Sequence, residues 1–313
     1  MFTSFFNTSK PVHFIIAGVF LFVVFTISRF YLGELSLTFP VLLDHLAVYL
    51  VLLASLLVFA FFVDKNDLTH KNSYKILFYS LLLALLPQAI LDNNVLIANL
   101  FVMLALRRIV SLRNNLRIKK KLFDSAFWIA IASLFYFGAI LYFVLLILAL
   151  ILFSIGQIKN WIVPFAGVLV VVIIVMSYNI IATDSYGDLT SLVQAPSFDF
   201  TPYNDILFIV PITIFLSFGI WALLYYLRSL REKTRISRPA FMTVVVALIV
   251  SLGIVILTPN KNGNEFIFAL APMAIIMSNY IELIKEKWFA EIYIWIIMLA
   301  PTGLWVITLG AKS

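Results

Sequence analysis

The sequence predicts an all-α protein: a single integral membrane domain over residues 1–313, folded as a polytopic transmembrane helical bundle of about eleven spans, with its N-terminus in and its C-terminus out. Three observations carry this. Apolar residues make up 63% of the chain and charged residues 12%, against roughly 45–50% and 25% in an average soluble domain; the mean hydropathy is +1.08. The apolar residues form continuous runs close to the length, about 20 residues, that crosses a hydrocarbon core roughly 30 Å thick. They do not alternate as the strands of a β-barrel would. Lysine and arginine gather between alternate runs, the pattern of loops kept on the cytoplasmic side.

The first run, Val12 to Phe30, is longer than the roughly 7–15 residues of a signal h-region, and no A-x-A-like site follows it, so an anchor is expected. Val41 to Val63 is the second. Tyr74 to Leu91 and Val95 to Val110 are shorter arms of a hairpin around the polar turn Asp92-Asn93-Asn94, with Pro87 expected to kink the first arm. Ser125 to Phe153 fits either one long tilted helix or two short ones meeting near Phe137-Gly138. Charge decides between them. With two helices, all 22 basic residues fall inside except Arg29, Lys261 and Lys312. With one helix, Lys159, the basic residues at 228–238, Lys285 and Lys287 would all move outside. A pair is therefore expected, its short arms sheltered by neighbouring helices. Trp161 to Ala182, Ile206 to Leu227, Ala240 to Leu257, Phe266 to Ile284 and Trp288 to Leu309 complete the spans. The expected location is a bacterial inner (cytoplasmic) membrane.

The absence of cysteine removes disulfides, thiolate metal sites, iron–sulfur clusters and cysteine nucleophiles. His13, His45 and His70 are too far apart in sequence to form a local ligand motif, and there is no GxGxxG, P-loop or HExxH. No metal or cofactor is expected. The dense basic run Arg107, Arg108, Arg113, Arg117 and Lys119 to Lys121, and a second run from Arg228 to Arg238, read as topology determinants that attract anionic lipid headgroups. No folded module accompanies them, so nucleic acid is not an expected partner.

Candidate chemistry lies at the outer face. Arg29, at the outer end of the first span, is placed to bind the phosphate of a lipid headgroup or lipid-linked donor, or else to snorkel to the interface beside Glu34. Glu34 or Asp44 could act as general base toward an acceptor hydroxyl. The outer segment from Thr183 to Asp205 holds Asp184, Asp188, Asp199 and Asp205 without a basic residue. It fits a lid over a membrane-embedded pocket, with Asp184 and Asp188 lining an acceptor cleft, or an ordinary acidic outer loop. The amides Gln88, Asn99, Asn179 and Asn279 are expected to bridge helices. No charged residue stands in the middle of a span, which disfavours an ion-coupled transporter.

Two resemblances join these readings. The Ser-Lys-Pro start, the stretch from Arg107-Arg108 to Lys-Lys-Lys-Leu-Phe-Asp124 and the segment Asn264-Glu-Phe-Ile-Phe-Ala-Leu-Ala-Pro272 resemble an uncharacterised multi-pass inner-membrane family of Bacteroidota. The basic loop followed by a short helical pair (Asp124 to Phe153), and the late outer Glu265-to-Pro272 segment entering a span, are similar to GT-C-type glycosyltransferases that use polyprenyl-phosphate sugars. That resemblance implies a polyprenyl phosphate as lipid partner and a carboxylate of the first outer loop as base. Glu34 and Asp44 are the candidates here, although they do not form that family's paired acidic motif. The alternatives are a non-enzymatic subunit that assembles with partner membrane proteins, and a small-molecule or lipid transporter.

Overall fold

The computed structural model describes residues 2–32, 38–184, 193–284 and 286–312. The apolar runs become helices near their expected bounds: α2 (Pro11–Tyr31), α3 (Phe39–Lys65), α4 (Tyr74–Leu85), α5 (Asn93–Val110), α6 (Ile118–Phe135) and α7 (Tyr142–Leu152). Then follow α8 (Ile158–Thr183), α9 (Ile206–Ser229), α10 (Arg238–Leu257), α11 (Ile267–Leu283) and α12 (Lys287–Lys312). Prolines in the first turns of α2, α3 and α10 fix φ where no intrahelical N–H bond is lost. A short α1 (Phe2–Phe6) precedes them, and its Phe2 and Thr3 N–H groups donate to the Glu291 carboxylate of α12 at 3.2 and 2.9 Å. Among the described residues there is no strand, and seven helices are long and apolar enough to cross a membrane by length and composition. They are α2, α3, α5, α8, α9, α10 and α11, while α4, α7 and α12 are shorter apolar segments.

The centre of the bundle is α4 against α11. Every residue of α4 is buried, as is nearly all of α11. The two run antiparallel. Where α4 begins, the end of α11 is held by Asn279, which donates to Leu68 O at 2.9 Å, and by Glu282, which accepts from His70 N and from Asn72 Nδ2 at 3.0 and 2.6 Å. Lys75 is fully buried in this layer and is neutralised by Asp64 at 2.6 Å. Pro87 breaks the first arm rather than bending it. The α-helix stops at Leu85, and Pro87–Ile90 continues as a single 3-10 turn.

The ambiguous run is two helices. α6 stops at Tyr136, a 3-10 turn covers Phe137–Leu141, and α7 returns. Tyr136 bonds Thr258 Oγ1 (2.7 Å) at the end of α10, whereas the residues beyond α7 meet the start of α6 around Gln157 and Arg117. Both arms therefore share one end of the bundle. α6 starts at Ile118, seven residues before Ser125. The reason lies in Lys121, whose ammonium donates to Ser111 O and Asn114 Oδ1, folding the basic loop tightly enough for Lys119 to Lys121 to enter the helix. Of the amides expected to bridge helices, Asn99 reaches Tyr79 Oη and Gln88 reaches Leu207 O, each at 3.4 Å, while Asn179 is only half-buried.

Candidate functional site

At the end of the bundle where α2 finishes, Arg29 is only 5% exposed. Its guanidinium lies 4.6 Å from the Phe25 ring centre, donates through Nε to Ile90 O at 3.2 Å and through Nη2 to Asn93 Oδ1 at 2.5 Å. Asn93 in turn donates through Nδ2 to Asp44 Oδ2 at 3.1 Å. Arg29 and Asp44 are thus brought together through one amide that joins α2, α3 and α5. Next to it, Asp92 caps α5, its Oδ1 accepting from Asn94 N at 2.8 Å and Val95 N at 3.3 Å. His45 is buried against the rings of Phe25 and Phe30, and neither ring nitrogen has a partner among the described residues. Glu34 and Asp188 lie outside the described residues. Asp184 is exposed just past the end of α8.

Beside this cluster opens a cavity of about 450 Å³, formed by the turn between α6 and α7, the end of α10, the loop at 258–265 and residues Gln194 and Pro196. Its lining is partly apolar, with Phe135, Phe137, Ile140, Leu141, Ile254 and Leu257. The polar lining residues include Asp92, Glu265, Thr258 and the amides Asn260, Asn262 and Asn264. No lysine or arginine lines it among the described residues, and neither Arg29 nor Asp44 does.

Glu265 is 1% exposed and accepts a hydrogen bond from the Tyr203 hydroxyl. Burial, and then the Glu265 charge, push the Tyr203 phenol far above its ordinary range, so it stays a donor. The Asn264 Oδ1 atom is buried with no partner among the described residues. Lys261, expected at the outer face, does not line the cavity. Its ammonium donates to the carbonyls of Ser197, Ile256, Thr258 and Val255 at 2.9, 2.9, 3.0 and 3.3 Å and lies 4.7 Å from the Phe200 ring centre. It thereby closes the carbonyl end of α10, where a cation is favourable. Burial lowers its pKa. Gly263, at φ +83°, lets the loop turn: a Cβ there would lie 2.6 Å from the Phe208 ring and 3.0 Å from Gln88 Cβ.

The sequence alone does not single out the carboxylates that face the cavity, Asp92 and Glu265, as site residues. In the sequence Asp92 reads only as part of a polar turn, and Glu265 only as part of a resembling segment. The available signal was that each is an acid at the boundary of an apolar run.

These helices and this amphipathic cavity define the class: an all-α membrane protein with a half-open site at one end of its bundle. The chain matches a family of unknown function (DUF6427) over residues 1–307 and belongs to that family. No curated protein and no solved structure matches it.

Proposed function

We propose that the chain is an eleven-span protein of a bacterial inner membrane, N-terminus in and C-terminus out, which binds a polyprenyl-phosphate-linked sugar in the cavity and transfers the sugar at the outer face. The observation that carries this reading is the mixed lining of the cavity. Apolar lining residues such as Phe135, Ile140 and Leu257 suit a lipid chain, and the amides, hydroxyl and two carboxylates of the same cavity suit a polyhydroxyl headgroup. The orientation rests on the charge split that eleven spans would give, with every basic residue except Arg29, Lys261 and Lys312 assigned to the inner side.

In the reaction, the acceptor hydroxyl oxygen bonds to the anomeric carbon. The bond from that carbon to the lipid phosphate oxygen breaks, and the phosphate leaves with the electron pair. The hydroxyl proton passes to a carboxylate. Asp92 is the more accessible of the two cavity acids and takes that role, with Glu34 as the alternative base. Arg29 and Asp44 act on the site through Asn93, holding the turn that carries Asp92. Asp184 and Asp188 belong to the acceptor side.

Native mass spectrometry of the purified protein tests the reading, with retained polyprenyl-phosphate lipid expected. Asp92→Asn keeps a good helix cap and is expected to spare lipid retention while abolishing transfer. Absence of retained lipid, or unchanged transfer by Asp92→Asn, overturns it. One observation favours a second reading, a membrane subunit: α8 exposes Ile162, Phe165, Leu169 and Ile173 along its length. In that case the same spectra carry a stoichiometric protein partner and no lipid-linked sugar.

A further inference from the structure

At the opposite end of the bundle, α6 and α8 start side by side and run parallel. They approach closely at Gly167, where a Cβ would lie 2.8 Å from Phe123 O and 2.9 Å from Ala126 Cβ. Their first turns border a cleft of about 300 Å³. Neither start is capped, since Arg117 and Gln157, the residues preceding the two helices, make no side-chain cap hydrogen bond. The first N–H groups of a helix have no carbonyl partner within it, and the helix dipole adds partial positive charge at the same place. Two such ends meet at this cleft.

The side chains add to the same sign of charge. Arg117, Lys119 and Lys120 line the cleft and are exposed, and none has an ion pair among the described residues. No carboxylate lines it. The other cations of the basic run are already engaged: Arg108 by Asp124 at 2.9 Å, Arg113 by Asn66 O at 2.6 Å, and Lys121 by Ser111 O and Asn114.

An independent observation points to a ligand. Asn160 lines the cleft from the first turn of α8 and is only 4% exposed, yet its side-chain amide has no hydrogen-bond partner among the described residues. Its amide atoms are not among the sealed, unpartnered polar atoms of the interior, so the amide is open to the cleft and has an N–H₂ to offer to whatever fills it. The loop before it is also unusual. Asn115 and Arg117 both adopt left-handed backbone, at φ 52° and 51°, which turns the chain sharply into the start of α6.

We propose that this cleft is a phosphate-binding site, held by the N-termini of α6 and α8, the Arg117 and Lys120 cations and the Asn160 amide. A tetrahedral dianion has enough oxygens to accept from all of these at once, which a single carboxylate has not. The phosphate is either free in solution or the headgroup of a lipid, since the cleft opens at the end of two apolar helices.

The test uses the full chain in discs of neutral phosphatidylcholine, titrated calorimetrically with inorganic phosphate, and in discs doped with phosphatidic acid, scored by retained lipid. Saturable binding is expected in at least one arm. Binding in the first assigns free phosphate, and binding only in the second assigns a headgroup. Asn160→Asp puts a negative charge in the cleft at nearly the same volume and is expected to weaken binding by at least about tenfold, as is the pair Arg117→Gln with Lys120→Gln. Lys71→Gln, an exposed cation outside the cleft, is expected to leave it unchanged. Circular dichroism melting confirms that each variant is folded. Failure of both arms overturns the proposal, and so does a loss on Lys71→Gln as large as that on the cleft variants, which marks diffuse charge attraction.

Discussion

The guanidinium of Arg29 donates to the side-chain oxygen of Asn93 at 2.5 Å, so the last turn of α2 is tied to the first turn of α5 by a charged hydrogen bond in a nearly dry setting. Because Asn93 follows Asp92 directly, the same contact fixes the carboxylate that faces the cavity. A residue outside the cavity therefore sets its geometry.

Arg29→Gln is expected to lower stability in detergent by about 1.5–3 kcal/mol, the usual worth of a hydrogen bond to a charged group. Arg29→Lys should fall well short of wild type too, because an ammonium cannot reproduce the planar fork that reaches Ile90 O and Asn93 together. Thermal melts read this directly. A lysine variant as stable as wild type would show that charge alone matters.

Gly263→Ala is expected to destabilise by about 1–3 kcal/mol through overpacking against Phe208 and Gln88. Adding Phe208→Leu should recover only part of the loss. The left-handed backbone at φ +83° still costs a residue with a Cβ about 1–2 kcal/mol. Full recovery in the double variant would assign the whole effect to the ring.

The chain has no cysteine, so single introduced thiols report sidedness without background. Asn204 and Thr234 are exposed at the two ends of α9. Asn204→Cys should react with an impermeant maleimide in intact cells, and Thr234→Cys only after the membrane is opened. The reverse pattern would invert the proposed orientation.

Hydrogen bonds from the Thr201 N–H (2.9 Å) and hydroxyl (2.7 Å) hold the Asp199 carboxyl below the usual carboxylate range. A depressed folded-state pKa means the turn's stabilisation is present above the ordinary aspartate value and is lost as pH falls through the lowered one. Protection of the Thr201 amide should accordingly survive at pH about 3.9, where a free aspartate is half protonated, and fade below it. Hydrogen exchange across this range tests it. Loss of protection already at that ordinary value would contradict the depressed pKa.

Much of the helical layout was legible because a span is a local property. A run such as Ile206 to Leu227 announces itself, and the charges after Phe153 were enough to divide the 125–153 run into two helices. The site was not legible in that way. Asp92, Tyr136 and the loop that carries Thr258 and Glu265 come from three separate parts of the chain, and only the packing of the α6–α7 turn against the end of α10 brings them to one cavity. Arg29 and Asp44 could be placed on one side from the sequence. The amide that joins them could not, since Asn93 looks there like any other turn residue.

α4 meets only protein along its whole length. At 12 residues it is about 18 Å long at 1.5 Å per residue, well short of a hydrocarbon core, and no residue of it needs to match one. Hydrophobic mismatch therefore acts on the outer helices, above all α8 and α9, the least buried of the long apolar helices, which adjust to a thicker or thinner bilayer by tilting. The α4–α11 pair is insulated from that adjustment. It forms a fixed axle around which the lipid-facing helices are free to lean.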